Sequence, residues 1–123
     1  MKTAYIYIIV IVIFFGLPMA YWAYDQSQPG KYDGLATCIK DSGTKFYGAF
    51  WCSHCANQKT AFGKSAALLP YVECSTADQK GLLPVCAEVG IKSFPTWVFP
   101  DGTRQEGEIA PEVLAEKTGC VVE

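Results

Sequence analysis

The sequence predicts an α/β domain, a mixed four-stranded sheet flanked by helices, behind a single N-terminal transmembrane helix. Three observations predict it. The first 24 residues hold 20 apolar ones, against 42 in the remaining 99. Beyond them, apolar runs and chain breakers read in order as helix, strand–helix–strand, helix, hairpin and helix. A strand–helix–strand unit places two strands in parallel, and a hairpin adds two antiparallel ones. Finally, a Cys-x-x-Cys pair sits where the first strand passes into a helix. At 123 residues the chain has the length of one domain.

Ala4 to Tyr24 is a run of 21 residues without charge. About 20 residues rising about 1.5 Å each match a hydrocarbon core of about 30 Å. Tyr21, Trp22 and Tyr24 close the run where an interfacial aromatic belt belongs. The competing reading is a cleaved signal peptide with Ile6 to Phe15 as its apolar region. Cleavage wants small residues in the first and third places before the cut. A cut after Ala20 leaves Pro18 in the third place, and one after Ala23 leaves Tyr21. Residues 1–24 are therefore expected to remain as a signal anchor. Lys2, the one early charge, favours an N-terminus inside, so the domain is expected on the extracytoplasmic side.

Residues 25–31 (DQSQPGK) are polar, with Pro29 and Gly30, and read as a linker. Residues 32–123 form the folded domain. Tyr32 to Ser42 carries Leu35, Cys38 and Ile39 at helical spacing, and Gly43 stops it. Lys45 to Phe50 reads as a buried strand. From Ser53 a helix runs to about Leu69, bent at Gly63 and ended by Pro70. Tyr71 to Cys74 is a second strand and Ser75 to Gly81 a polar loop. Leu82 to Val89 reads as a short helix closed by Gly90. Thr96–Phe99 and Thr103–Glu108 are strands around the turn Pro100-Asp101-Gly102. Pro111 opens a last helix that ends at Gly119.

A net charge of −2 gives no basic surface for nucleic acid. The aromatic and apolar content excludes a disordered chain. The chemistry lies in Cys52 and Cys55. Reduced, the first sulfur of such a pair lies at a helix N-terminus, where unpaired N–H groups and the helix dipole favour thiolate. Such settings lower a cysteine pKa from about 8.5 to between about 3.5 and 7.5. The thiolate is the attacking species in disulfide exchange. Cys52 is then the nucleophile and Cys55, one turn inward, the resolving thiol. His54 between them favours the thiolate further and pushes the pair toward oxidising behaviour. Its plainer reading is an exposed helix residue with no role. A lone Cys-x-x-Cys also reads as half a zinc site. Forty residues on, Ser93-Phe94-Pro95-Thr96 enters another strand. A cis Pro95 there would bring its loop against the Cys52 sulfur.

Phe50-Trp51-Cys52-Ser53-His54-Cys55, Phe94-Pro95-Thr96 and Phe99-Pro100-Asp101-Gly102-Thr103 together resemble the thioredoxin superfamily. The segments Lys45–Cys52, Pro70–Ser75 and Phe94–Trp97 are similar to the thioredoxin-like domain of bacterial vitamin K epoxide reductase homologues. The likeness spans about Leu35 to Cys120. It implies thiol–disulfide exchange with protein substrates and recycling by a quinone-linked membrane partner. Cys52 and Cys55 map to the redox pair and Pro95 to the cis proline. Two departures stand out. Ser53 replaces the proline common between the redox cysteines. Phe46 stands where many thioredoxins bury a proton-relaying acid, which leaves Glu73, water or no dedicated group for that task.

The resemblance also suggests a disulfide between Cys74 and Cys86, with two buried thiols or an electron relay as alternatives. Cys38 lies in the first helix and Cys120 just after the last one, and such a sheet can place these helices side by side, so a bridge between them is expected. Six cysteines allow 15 pairings, so the connectivity is an expectation. Zinc held by Cys52, Cys55, Cys74 and Cys86 is disfavoured, because structural sites bring their second pair close together. Trp51, Phe94 and Thr96 are candidate substrate-binding residues. The expected function is a membrane-anchored protein thiol–disulfide oxidoreductase acting as an oxidase, with a reductase or isomerase, or a non-catalytic module, as alternatives. No bound cofactor, metal or nucleic acid is expected, and a monomer suffices.

Overall fold

The computed structural model describes residues 1–122; Glu123 lies outside it. The leader is helical throughout, as α1 (Lys2–Ile11), a π turn (Val12–Gly16) and α2 (Leu17–Ser27). Pro18 explains the widened turn. Proline has no N–H, and its ring presses on the carbonyl four residues back. Leu17 N–H bonds instead to Val12 O, and the helix passes through. The span Lys2–Ser27 is long and apolar enough to cross a membrane. It runs three residues past the expected boundary at residue 24.

The domain follows as α3 (Asp33–Asp41), β1 (Lys45–Gly48), α4 (Ser53–Phe62), a 3₁₀ segment (Gly63–Leu68) and β2 (Tyr71–Glu73). Then come α5 (Pro84–Ala87), β3 (Thr96–Val98), β4 (Arg104–Glu106) and α6 (Pro111–Thr118). The sheet order is β2-β1-β3-β4. β1 and β2 run parallel, with Phe46 beside Tyr71, and the other pairs are antiparallel. This is the mixed four-stranded sheet that the sequence predicts.

Alternation along the strands separates two cores. On one face Phe46 and Trp97 pack against Leu35 and Ile39 of α3, Phe62 of α4 and Leu114 of α6. The Phe46 and Trp97 rings stack at 4.6 Å. On the other face Tyr47 joins Cys74, Cys86 and Ile91, backed by Val72 and Val98.

Several elements are shorter than their sequence pattern. β1 stops at Gly48 because Ala49 O turns to accept Cys52 N–H at 3.0 Å. The helix from Ser53 tightens into 3₁₀ after Gly63, whose φ of +56° breaks the α geometry. The helix expected from Leu82 begins only at Pro84. Leu82 pairs with Ser75, and Leu83 N–H bonds to Cys74 O, which holds both leucines extended. Gly107, at φ +89°, ends the last strand early and donates its N–H to Pro95 O.

Two disulfides close the domain, Cys38–Cys120 and Cys74–Cys86, with Cα–Cα distances of 6.0 and 5.5 Å. The first links residues 82 apart, joining α3 to the end of α6. On loop-closure grounds it stabilises by about 4.5 kcal/mol and the shorter one by about 3 kcal/mol. The double variant Cys38→Ser/Cys120→Ser is expected to lose about 2–5 kcal/mol in denaturant titration. An unchanged midpoint would show that α3 and α6 hold together without the bridge.

Candidate active site

Ala49 begins the turn that ends β1, and Cys52 caps α4. The Cys52 sulfur accepts the Cys55 N–H at 3.2 Å, so it occupies the place of a capping oxygen. It also lies 3.7 Å from Phe94 O, as donor. The Phe94–Pro95 bond is cis. Strand β3 thus delivers the Phe94–Pro95 loop against the first sulfur. Among the described residues Cys52 and Cys55 are the free cysteines, 8% and 1% exposed.

Cys55 sits deeper, against Gly48. A Cβ on Gly48 would lie 2.9 Å from the Cys55 sulfur and 2.8 Å from Cε2 of Tyr71. Only glycine leaves that space. Burial pushes the Cys55 thiol up to about 12, and the hydrogen bond with Cys52 adds to the shift. The inner sulfur is thus a protonated thiol over a wide pH range.

Glu73 is committed to the turns around it. Its Oε1 accepts N–H groups of Ser75 at 2.9 Å, Cys74 at 3.1 Å and Phe50 at 3.2 Å. Its Oε2 accepts the Tyr71 hydroxyl at 2.7 Å. Burial pushes its carboxyl upward, but these hydrogen bonds outweigh it and hold the group below the usual 4.5.

The outer wall is aromatic. Trp51 donates its indole N–H to Ser75 Oγ at 2.7 Å and meets Phe94 edge-on at 6.0 Å. Phe50 and Trp51 are exposed. A groove of about 310 Å³ opens between Trp51, Leu82, Ile91 and Phe94, with Lys80 and Lys92 at its rim. Thr96 does not reach this surface with its side chain. It is 3% exposed and its hydroxyl bonds to Ser93 O, bracing the loop before Pro95.

His54 turns outward. Its Nδ1 lies 2.7 Å from Oε1 of Glu108, which also accepts from Asn57 at 3.2 Å. These bonds hold the Glu108 carboxyl below its usual range. Glu108 is a neighbour of the site that sequence reasoning missed. Beside it, Gln58 of α4 is buried and bonds both ways to the Ile109 backbone, at 2.7 and 2.8 Å. No local signal announces either contact, since each spans more than 50 residues.

Cys74 and Cys86 are bonded to one another, so the four-thiolate zinc set does not assemble. Among the described residues no cluster of three or more His, Cys, Asp or Glu side chains is arranged for a metal.

A stretch of 89 residues, 69% of the chain, is 48% identical to the thiol-disulfide oxidoreductase LTO1 of Arabidopsis thaliana. The chain is similar to part of that oxidoreductase. It spans 23% of the relative's length. No family model matches the chain.

The Glu73 carboxyl titrates lower in the folded chain than its ordinary value. Its stabilising contribution is therefore complete above about pH 4.5 and fades as pH falls through the folded value. Glu73→Gln is expected to lower stability at neutral pH and to flatten the acid limb of a stability–pH curve. An acid limb as steep as that of the wild type would assign that limb to other carboxylates.

Proposed function

We propose that this chain is a membrane-anchored protein thiol–disulfide oxidoreductase that works as an oxidase. The observation that carries the reading is the sorting of its six cysteines. Four are bonded in pairs, and the two left free stand at the N-terminus of α4 against the Phe94–Pro95 loop. The likeness to a named thiol-disulfide oxidoreductase supports the same chemistry.

In the oxidising direction a substrate thiolate attacks the Cys52 sulfur of a Cys52–Cys55 disulfide. The Cys52–Cys55 bond breaks, and Cys55 leaves with the electron pair. A second substrate thiolate then attacks the substrate sulfur of the mixed disulfide and displaces Cys52. The substrate gains a disulfide and the chain becomes a dithiol. Recharging removes two electrons and two protons. In it the Cys52 thiolate attacks a partner's disulfide and Cys55 resolves the new mixed disulfide. A quinone-linked membrane protein of the vitamin K epoxide reductase type is the proposed partner. Trp51, Phe94 and the backbone at Thr96 are the proposed substrate contacts.

Two features support the direction and the place. His54, anchored on Glu108, puts an imidazole within the redox motif. Paired cysteines persist in oxidising compartments, which supports an extracytoplasmic domain held at the membrane by residues 1–24.

Cys52→Ala is expected to abolish exchange, while Cys55→Ser traps mixed disulfides that name substrates and partner together. The potential of the Cys52–Cys55 pair is expected well above the about −270 mV of thioredoxin. His54→Ala is expected to lower it by about 30 mV or more, a tenfold change in the exchange equilibrium. A wild-type value near that of thioredoxin favours the reductase reading instead.

A further inference from the structure

Resolution requires Cys55 as a thiolate, yet its sulfur lies in a site that disfavours charge. Four titratable or charged groups stand around it. Cys52 caps the helix in front of it. On β2, Tyr71 presents its ring edge beside Gly48, where the Cys55 sulfur also lies. Behind Tyr71 its hydroxyl is committed to Glu73 at 2.7 Å. On α4, Lys59 follows Cys55 by four residues, so both project from one helix face, as neighbours about 5–6 Å apart at Cβ. β1 adds Gly48 and Ala49, which do not titrate. The His54–Glu108 pair points outward on the exposed side.

Lys59 is not a freely solvated cation. It is half-buried, and its Nζ stands 3.5 Å from the centroid of the Tyr71 ring. The electron-rich ring face holds an ammonium against the same side chain that borders Gly48 together with the Cys55 sulfur. Among the described residues Lys59 has no carboxylate within ion-pair distance, so its charge is not cancelled locally. Phe46, fully buried behind the pair, carries no acid that could take a proton.

We propose that Lys59, seated on Tyr71, is a positioning residue that eases formation of the Cys55 thiolate and so speeds resolution at Cys52. This rests on the dithiol–disulfide reading given above. The Lys59 charge acts on Cys55 in the required sense, opposing the upward push of burial.

Reaction of the chain in detergent, with the Cys52–Cys55 pair reduced and both structural disulfides intact, with one equivalent of dithiodipyridine separates the two steps. The Cys52 thiolate attacks the reagent, forming a Cys52–pyridyl mixed disulfide and releasing one pyridinethiolate. The Cys55 thiolate then attacks the Cys52 sulfur, closing the Cys52–Cys55 disulfide and releasing a second. Stopped-flow absorbance follows both releases across pH. Lys59→Gln is expected to slow the second release about tenfold near neutral pH and raise its pH midpoint by about one unit. The first release should change less than about twofold, and Lys59→Arg should restore the second, because it keeps the charge over the ring. A second phase in Lys59→Gln with the wild-type rate and midpoint overturns the proposal. So does equal slowing of both phases with an unmoved midpoint, which is the signature of loosened packing. Absence of any release from the wild type would remove the redox reading itself, and this inference with it.

Discussion

The carboxylate of Glu73 is the contact on which the rest of the site depends. β1 and β2 share only a short parallel ladder, and the chain leaves both strands in tight turns. Each turn exposes backbone N–H groups that strand pairing does not satisfy. An unmet buried donor costs about 1–3 kcal/mol. Glu73 takes two of them, from Phe50 and Ser75, shares the Cys74 N–H with Gly48 O, and accepts the Tyr71 hydroxyl besides. Phe50 lies two residues before the reactive Cys52, and Ser75 holds the Trp51 indole. One side chain therefore fixes the approach to α4 and the aromatic wall beside it.

A second line of support reaches Cys52 from the opposite side. Cys74, placed by Glu73, is bonded to Cys86. Cys86 O accepts the Ile91 N–H at 3.0 Å, which starts the segment leading to Phe94. Phe94 O then meets the Cys52 sulfur. The staple is thus part of the frame that holds the Pro95 loop, and its cysteines are unavailable as ligands or nucleophiles while bonded. Cys38–Cys120 works at a distance, tying α3 to the end of α6 beneath the larger core. Free and bonded cysteines differ by what faces them. A helix N-terminus and a loop carbonyl face Cys52, and another sulfur faces each of the bonded four.

Those parts of the fold that follow from local chemistry were legible in the sequence. Glycine and proline marked the bend at Gly63, the start at Pro111 and the stop at Gly119, each by backbone rules that need no tertiary partner. The mixed four-stranded sheet followed from the strand–helix–strand unit and the hairpin. The spacing of Cys52 and Cys55 set them apart in the sequence, and they are the two cysteines left free among the described residues. What escaped depends on turn and tertiary contacts that no apolar pattern or motif announces. Leu82 and Leu83 have a helical apolar pattern, but pairing with Ser75 and Cys74 draws them straight. Glu73 had the composition of a solvated carboxylate, and only the meeting of two turns makes it an acceptor for four donors. Thr96 has the position of a substrate contact, yet its side chain is buried with the hydroxyl bonded to Ser93 O. Glu108 and Gln58 carry no motif, because their partners arrive through topology alone.

The same distinction bears on how the domain meets its anchor. Asp25 to Lys31 has the polar, Pro- and Gly-containing composition of a free linker, but its ends are clipped to the fold. Asp25 pairs with Lys64 at 2.9 Å, and Tyr32 N–H bonds to Ser65 Oγ at 2.9 Å. Gly30 passes so close to Ser65 that a Cβ there would meet its Oγ at 2.2 Å. Both clips fall on the 3₁₀ segment that continues α4, whose opposite end carries Cys52. A helix of ten residues is about 15 Å long, so α4 and these clips connect the end of the apolar helix to the Cys52 sulfur. A flexible tether would spread that sulfur through a large volume, whereas a clipped one restricts its orientations and raises its effective concentration toward a partner in the same bilayer. Under the proposed function, a clipped anchor favours exchange with a membrane-embedded recharging partner over exchange with diffusing substrates.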